Sequence, residues 1–168
     1  MSEEENTTIE KGAIATMLEE KRIKVTPLGI DASGTEQIAI DANNLEQVAK
    51  ELKRGKKMNL LNFITAVEVK DGYQAIYRLE NLGINGDEQV AVMIKVTVPR
   101  DNPVLPSLTK VFPTANWQER EAYDMIGIKF DEHPDLTRIL NPDDWDGHPL
   151  RKDYIGPMDE LNQPMAYK

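Results

Sequence analysis

The sequence predicts an α+β fold: an antiparallel sheet meander with helices packed on one face, followed by an extended, proline-punctuated C-terminal arm. Three observations carry this reading. Val90, Val92, Ile94, Val96 and Val98 alternate without a break, the period-two pattern of a strand with one buried face. Leu45, Val48, Ala49 and Leu52 recur at helical spacing and share one face. Nine of the ten prolines lie at or after Pro99, so the second half of the chain obeys different backbone rules from the first.

Taken in order, Thr8 to Arg22 reads as a helix, with Ile14, Met17 and Leu18 at helical spacing. Gln37 to Ile40 is a short strand. Asn43 or Asn44 can cap a second helix that runs to about Arg54 and ends at Gly55. Leu60 to Lys70 is strand-like, and Asp71-Gly72 marks a hairpin whose primed turn would use the freedom of glycine at positive φ. Tyr73, Ala75, Tyr77 and Leu79 alternate along the returning strand, and Asn85-Gly86 lies in the next turn before the valine-rich strand. Pro99 to Pro103 cannot continue a central strand. Pro106 to Phe112 is expected to form a short helix. Asn116 is expected to cap a further one, with Glu119 three residues later as in a capping box and Gly127 as its end. Prolines 134, 142, 149, 157 and 164 then block helix propagation, which divides the chain into an α+β domain, 1–127, and an extended arm, 128–168.

Composition excludes several function classes. Of 168 residues, 40% are hydrophobic and 29% charged, as in a globular domain with a real core. A net charge of −9 argues against a nucleic-acid or anionic-membrane surface, since both call for a basic patch. The one basic cluster, Lys50, Lys53, Arg54, Lys56 and Lys57, closes the second helix, where cations suit its dipole. There is no cysteine, hence no disulfide, no thiolate nucleophile and no iron–sulfur cluster held by thiolates of this chain. The longest uncharged run, Met58 to Val67, has ten residues, against about twenty for a spanning helix. The first residues are acidic without an apolar stretch, which is not a secretory signal.

Candidate chemistry is sparse. Glu121 and Asp124 are three apart on one helix, a spacing that serves acid/base work, a metal, charge pairing with Arg120, or a network reaching Arg138 or Arg151. His133, Asp135 and Asp143 would make a metal set; hydrogen bonding of the imidazole in a turn is the simpler use. Asp143, Asp144 and Asp146 lack the spacing of a calcium loop. Neither a phosphate-binding glycine loop nor a serine elbow occurs. The positive signal is the arm. Leu136, Ile139, Leu140, Trp145, Leu150, Tyr154, Ile155, Met158, Leu161, Met165 and Tyr167 must either fold back on the domain or dock on another protein, since an apolar row of this length is not left bare.

Glu119-Arg120-Glu121-x-x-Asp124-Met125-Ile126, then His133 and Ile139-Leu140, closely resembles the signature of the thirty-kilodalton subunit of respiratory complex I, the family called subunit J in cyanobacteria and plastids. Val98-Pro99-Arg100-Asp101-Asn102-Pro103 fits too. So does Pro142-Asp143-Asp144-Trp145-x-Gly147-His148-Pro149-Leu150-Arg151-Lys152-Asp153-Tyr154. The match is dense from about residue 90 to 154, and Thr137 and Asn141 depart from the pattern.

The resemblance implies a non-catalytic scaffold subunit in the peripheral arm of a proton-pumping NADH- or NAD(P)H-quinone oxidoreductase. Such a chain binds no cofactor of its own; quinone and iron–sulfur clusters belong to partner subunits. It implies docking on the D-like subunit near the quinone site, with B- and I-like subunits close by. The place implied is the cytoplasmic face of a bacterial plasma membrane or of the thylakoid, held there only through the complex. Carried over residue by residue, the docking set is Glu119, Arg120, Glu121, Asp124, His133, Arg138, Trp145, His148, Arg151 and Tyr154. The equivalent subunit of a membrane-bound hydrogenase or formate hydrogenlyase is the alternative, and an independent acid/base or metal protein built on the carboxylates is the third reading.

Overall fold

The computed structural model describes residues 10–156. Its main element is a five-stranded sheet in the order β1-β2-β5-β4-β3. The strands are β1 (Thr26–Ile30), β2 (Glu36–Ala39), β3 (Leu60–Val69), β4 (Gly72–Leu82) and β5 (Gln89–Val98). β3, β4 and β5 form the expected antiparallel meander, with Tyr77 opposite both Ile64 and Ile94. The sheet as a whole is mixed, because β2 joins β5 in parallel and carries β1 outside it as a hairpin. A parallel pair needs a long crossover, and α2 (Leu45–Gly55) with β3 and β4 supplies it. β1 tolerates Pro27 because it is an edge strand, bulged between Pro27 and Gly29.

One face of the sheet is covered. Tyr73, Ala75, Tyr77 and Leu79 of β4 and Val92, Ile94, Val96 and Val98 of β5 are all buried. They meet Leu45, Val48, Ala49 and Leu52 of α2 and Ile14, Ala15 and Leu18 of α1 (Ala13–Glu20) in one core. Ile94 sits at its centre with no exposed surface, so Ile94→Val is expected to cost about 0.5–1.5 kcal/mol in urea unfolding, as for a deleted buried methylene. An unchanged midpoint would mean that this face of β5 is not the packed one.

Several elements differ from expectation for identifiable reasons. α1 starts at Ala13 rather than Thr8; Thr8 itself lies outside the described residues. The Glu36 carboxylate accepts the N–H groups of Ile14 and Ala15 at 2.8 and 2.7 Å, which satisfies the helix start from another strand. α2 has no asparagine side-chain cap; a 3-10 turn, Ala42–Asn44, leads into it. Gly72 does not have positive φ. It is needed because a Cβ there would stand 2.0 Å from the Val98 carbonyl oxygen. Residues 106–112 are a strand end and a turn, not a helix: β6 (Val104–Pro106) pairs in parallel with β7 (Lys129–Asp131).

α3 (Ala115–Ile126) lies along the outer edge of β3, where the Gln118 side chain accepts the Ile64 N–H. It ends at Gly127, whose φ of 84° stops the helix as the sequence suggests. The chain then turns back: Ile128 and Phe130 enter the core, and Leu136 packs against it.

Candidate docking face

Helix α3 positions nearly every polar group of the candidate set. Its side chains hold two loops that have few backbone partners of their own.

Glu119 points inward with no exposed surface. It makes no capping box with Asn116. Its two oxygens accept the Leu108 N–H and the Ser107 hydroxyl, both at 2.7 Å, so the carboxylate fixes the turn after β6. Burial raises its pKa to about 7, against the lowering effect of these two donors.

Arg120 and Asp124, four residues apart and so on one face, hold 137–141 between them. Arg120 donates to the carbonyls of Thr137 and Arg138 at 3.0 and 2.7 Å, and its guanidinium lies over the Trp117 ring. Asp124 takes the opposite polarity. One carboxylate oxygen accepts the N–H groups of Ile139, Leu140 and Asn141, and the other accepts Arg138 Nη1 at 2.6 Å and the Asn141 side-chain amide at 2.9 Å. Burial opposes ionisation, but these donors outweigh it and hold Asp124 far below the usual carboxylate range. The departures from the signature are accommodated: Thr137 contributes a carbonyl that any residue has, and Asn141 adds a donor to Asp124.

Arg138 carries the network outward. Its guanidinium donates to the Asp124 carboxylate and carbonyl and to the carbonyls of Trp145 and Gly147, which closes the 138–147 loop on itself. The next stretch seats on the end of α3. His148 donates from Nδ1 to the Asp124 carbonyl at 3.0 Å, and the Leu150 N–H reaches the Met125 carbonyl. Burial lowers the His148 pKa despite that hydrogen bond. Arg151 donates from Nε to the Ile126 carbonyl at 2.6 Å and lies over the Tyr73 ring. Glu68 of β3 ties the arm to the sheet by accepting the Lys152 N–H and pairing with Arg100. Tyr154 stacks close to Gly147, where a Cβ would stand 2.9 Å from its ring.

Of the ten candidate residues, Glu119, Arg120, Asp124, Arg138, His148 and Arg151 thus bond directly to the chain's own loops. Trp145 and Tyr154 are half-buried beside them. His133 lies against the first turns of α3. Its Nδ1 accepts the Asp135 N–H and its Nε2 donates to the Asn116 carbonyl, both at 3.1 Å. Glu121 is exposed and stands apart from Asp124, so the two carboxylates do not converge. Among the described residues no group of three or more His, Asp or Glu side chains is placed to hold a metal. Sequence reasoning named neither Glu68 nor Ser107 as a site residue, and quoted Arg100 and Asn141 only within the family pattern. Glu68 lies on a strand interior, where an acid with no partner in sequence is the only hint.

Around this framework lies an apolar surface. Trp117, Leu140, Leu150 and Ile155 are each 59–64% exposed, although Trp117 lies in α3 and the Leu140 and Leu150 N–H groups are bonded to it. Ile139 is half-buried, and Met158, Leu161, Met165 and Tyr167 lie outside the described residues.

The chain is thus an α+β domain whose last described segment is held against α3. The family described as the respiratory-chain NADH dehydrogenase 30 Kd subunit matches residues 38–160, and the chain belongs to it. It is 40% identical over 149 residues to the chloroplastic NAD(P)H-quinone oxidoreductase subunit J of Cryptomeria japonica, covering 88% of this chain and 94% of that one. It is 39% identical over 152 residues to the subunit J of Chaetosphaeridium globosum, covering 88% of each. Two solved structures share the fold. A trypsin-resistant fragment of Nqo5 superposes with a TM-score of 0.62 at 23% identity, over 73% of this chain and 96% of the fragment. A chain of an archaeal membrane-bound sulfane sulfur reductase superposes at 0.66 and 20% identity, over 78% and 75%. Among the described residues no helix is long and apolar enough to cross a membrane.

Proposed function

We propose that this complex-I-type subunit is a non-catalytic scaffold of the peripheral arm, which docks on the D-like subunit and orders it near the quinone site. The observation that carries the reading is that Trp117, Leu140 and Leu150 are exposed on backbone that belongs to α3 or is bonded to it, with Ile155 exposed further along the arm. A preorganised surface loses little entropy on binding, and a rigid aromatic with aliphatic neighbours and a polar rim is the make-up of a protein interface. In this proposal Asp124, Arg138, Arg120 and Glu119 act indirectly, by fixing the loops. Glu121, Trp145, His148, Arg151, Tyr154 and His133 rim or support the face, and 128–168 is the docking arm. B- and I-like subunits with their iron–sulfur clusters lie nearby, and the complex holds the chain at the cytoplasmic face of a plasma or thylakoid membrane. A hydrogenase-type complex is the competing assembly, since the same fold serves a different respiratory membrane complex.

The test is purification of the tagged chain from its native membranes in mild detergent, beside a Leu140→Ser/Leu150→Ser variant. Both side chains are exposed, so each change is expected to alter the chain's own stability by less than about 0.5 kcal/mol. The wild type should recover D-, B- and I-like subunits, and the variant should lose most of them. Equal recovery by the variant would move the interface elsewhere. A wild-type chain that purifies alone would defeat the scaffold reading, and nickel in the D-like partner would transfer it to a hydrogenase.

A further inference from the structure

Beyond fixing the turn after β6, the Glu119 carboxylate is buried with no cation beside it among the described residues. Three elements enclose it completely. The turn after β6 supplies the Leu108 N–H and the Ser107 hydroxyl, both at 2.7 Å. β4 supplies Tyr77, whose hydroxyl is buried and has no hydrogen-bond partner among the described residues. The segment after β7 supplies His133, whose Nε2 stands 3.9 Å from Glu119 Oε2 but donates its proton to the Asn116 carbonyl. No lysine or arginine among the described residues reaches ion-pair distance. Two lysines serve the outside of the same turn. Lys53 of α2 donates to the Val111 carbonyl at 2.6 Å and lies over the Phe112 ring, and Lys110 pairs with Glu132 in solvent.

We propose that Glu119 is a proton-dependent latch, which holds the 107–112 turn against α3 as the neutral acid and loosens it on ionisation. The hydrogen-bond geometry accommodates the neutral acid fully. A proton on Oε2 donates to Ser107 Oγ, the Ser107 hydroxyl turns to Thr109 Oγ1 at 2.8 Å, and Oε1 keeps the Leu108 N–H. No donor or acceptor is lost. The ionised form seals a charge in the core with two donors and no cation, an arrangement that is costly unless the turn opens to water.

The sign follows from burial, which raises the folded pKa to about 7 from 4.5. The closed turn therefore keeps its full stability below about pH 4.5 and loses it as pH rises through about 7, after which the loss levels off.

The experiment is amide hydrogen exchange on the full chain, read at Leu108 between pH 5.5 and 8 after correction for intrinsic rates. Protection at Leu108 is expected to fall by about tenfold or more across that range, one decade for each pH unit of linked ionisation. In Glu119→Gln, which presents the same donor and acceptor as the neutral acid, protection should no longer depend on pH. A fall of equal size in Glu119→Gln, or no fall in the wild type, would overturn the latch. So would a pH dependence that disappears in His133→Gln and survives in Glu119→Gln, since the imidazole would then be the titrating group. Infrared spectroscopy of the wild type keeps the proposal testable if the glutamine variant fails to fold. A protonated carboxyl band must be present at pH 5.5 and gone at pH 8, and its absence at pH 5.5 would end the proposal.

Discussion

Asp124→Ala is expected to destabilise the chain by about 3–5 kcal/mol, the range for removing one partner of a buried, hydrogen-bonded ion pair. The residue has no exposed surface and takes five donors, three of them successive backbone N–H groups. Alanine leaves all five facing a cavity. The loss lies in the orphaned groups more than in the missing contact, because an unmet buried donor keeps its full desolvation penalty. Asp124→Asn should do almost as badly, since its amide would turn two more donors toward a site made only of donors. Urea unfolding measures both, and exchange at Leu140 and Asn141 shows whether the loop has been released. The pH dependence runs opposite to that of Glu119. The folded pKa of Asp124 is depressed, so its contribution is present above about pH 4 and is lost as pH falls further. A cost below about 1 kcal/mol, the value of one ordinary hydrogen bond, would mean that the arm is not held by this carboxylate.

The elements legible in the sequence are those whose partners are repeats of themselves. β5 and β4 show their alternation, α2 shows its stripe, and each is readable because one buried face imposes one period. What stays hidden depends on residues far apart in the chain. Nothing local marks Glu36 as the group that starts α1, or sets β2 parallel to β5. Asn116 and Glu119 have the spacing of a capping box, yet Glu119 is drawn to Ser107 and Leu108 instead, so a correct motif leads to a wrong partner. Gly72 reads as a positive-φ residue and is required for its missing Cβ. Within the site, the signature residues are recognisable as a group. Their division of labour is not. Arg120 meeting carbonyls and Asp124 meeting N–H groups follows from which edge of 137–141 faces α3, and only the folded chain shows that.

Gly127→Ala is expected to cost about 2–5 kcal/mol, from two sources that can be separated. A side chain at φ 84° carries a left-handed penalty of about 1–2 kcal/mol. The new Cβ would also stand 2.3 Å from Arg151 Nη2 and 2.5 Å from His148 Nε2, which adds about 1–3 kcal/mol of overpacking unless both side chains move. They are not free to move without loss. His148 is bonded to the Asp124 carbonyl, and Arg151 is bonded to the Ile126 carbonyl and stacked on Tyr73. Asparagine tolerates the left-handed region better than alanine but brings the same Cβ. Gly127→Asn should therefore recover the backbone share of the loss and none of the packing share. If the two variants are equally stable, the backbone term is small and the seat of the arm carries the cost. Incorporation into the complex then decides what that seat is for. A variant that unfolds cooperatively as an isolated chain, yet fails to recover partner subunits, would show that the placement of 148–151 on α3 is itself a docking determinant. Full incorporation at reduced stability would mean that the partner reseats the arm, and that the interface tolerates the position of His148 and Arg151.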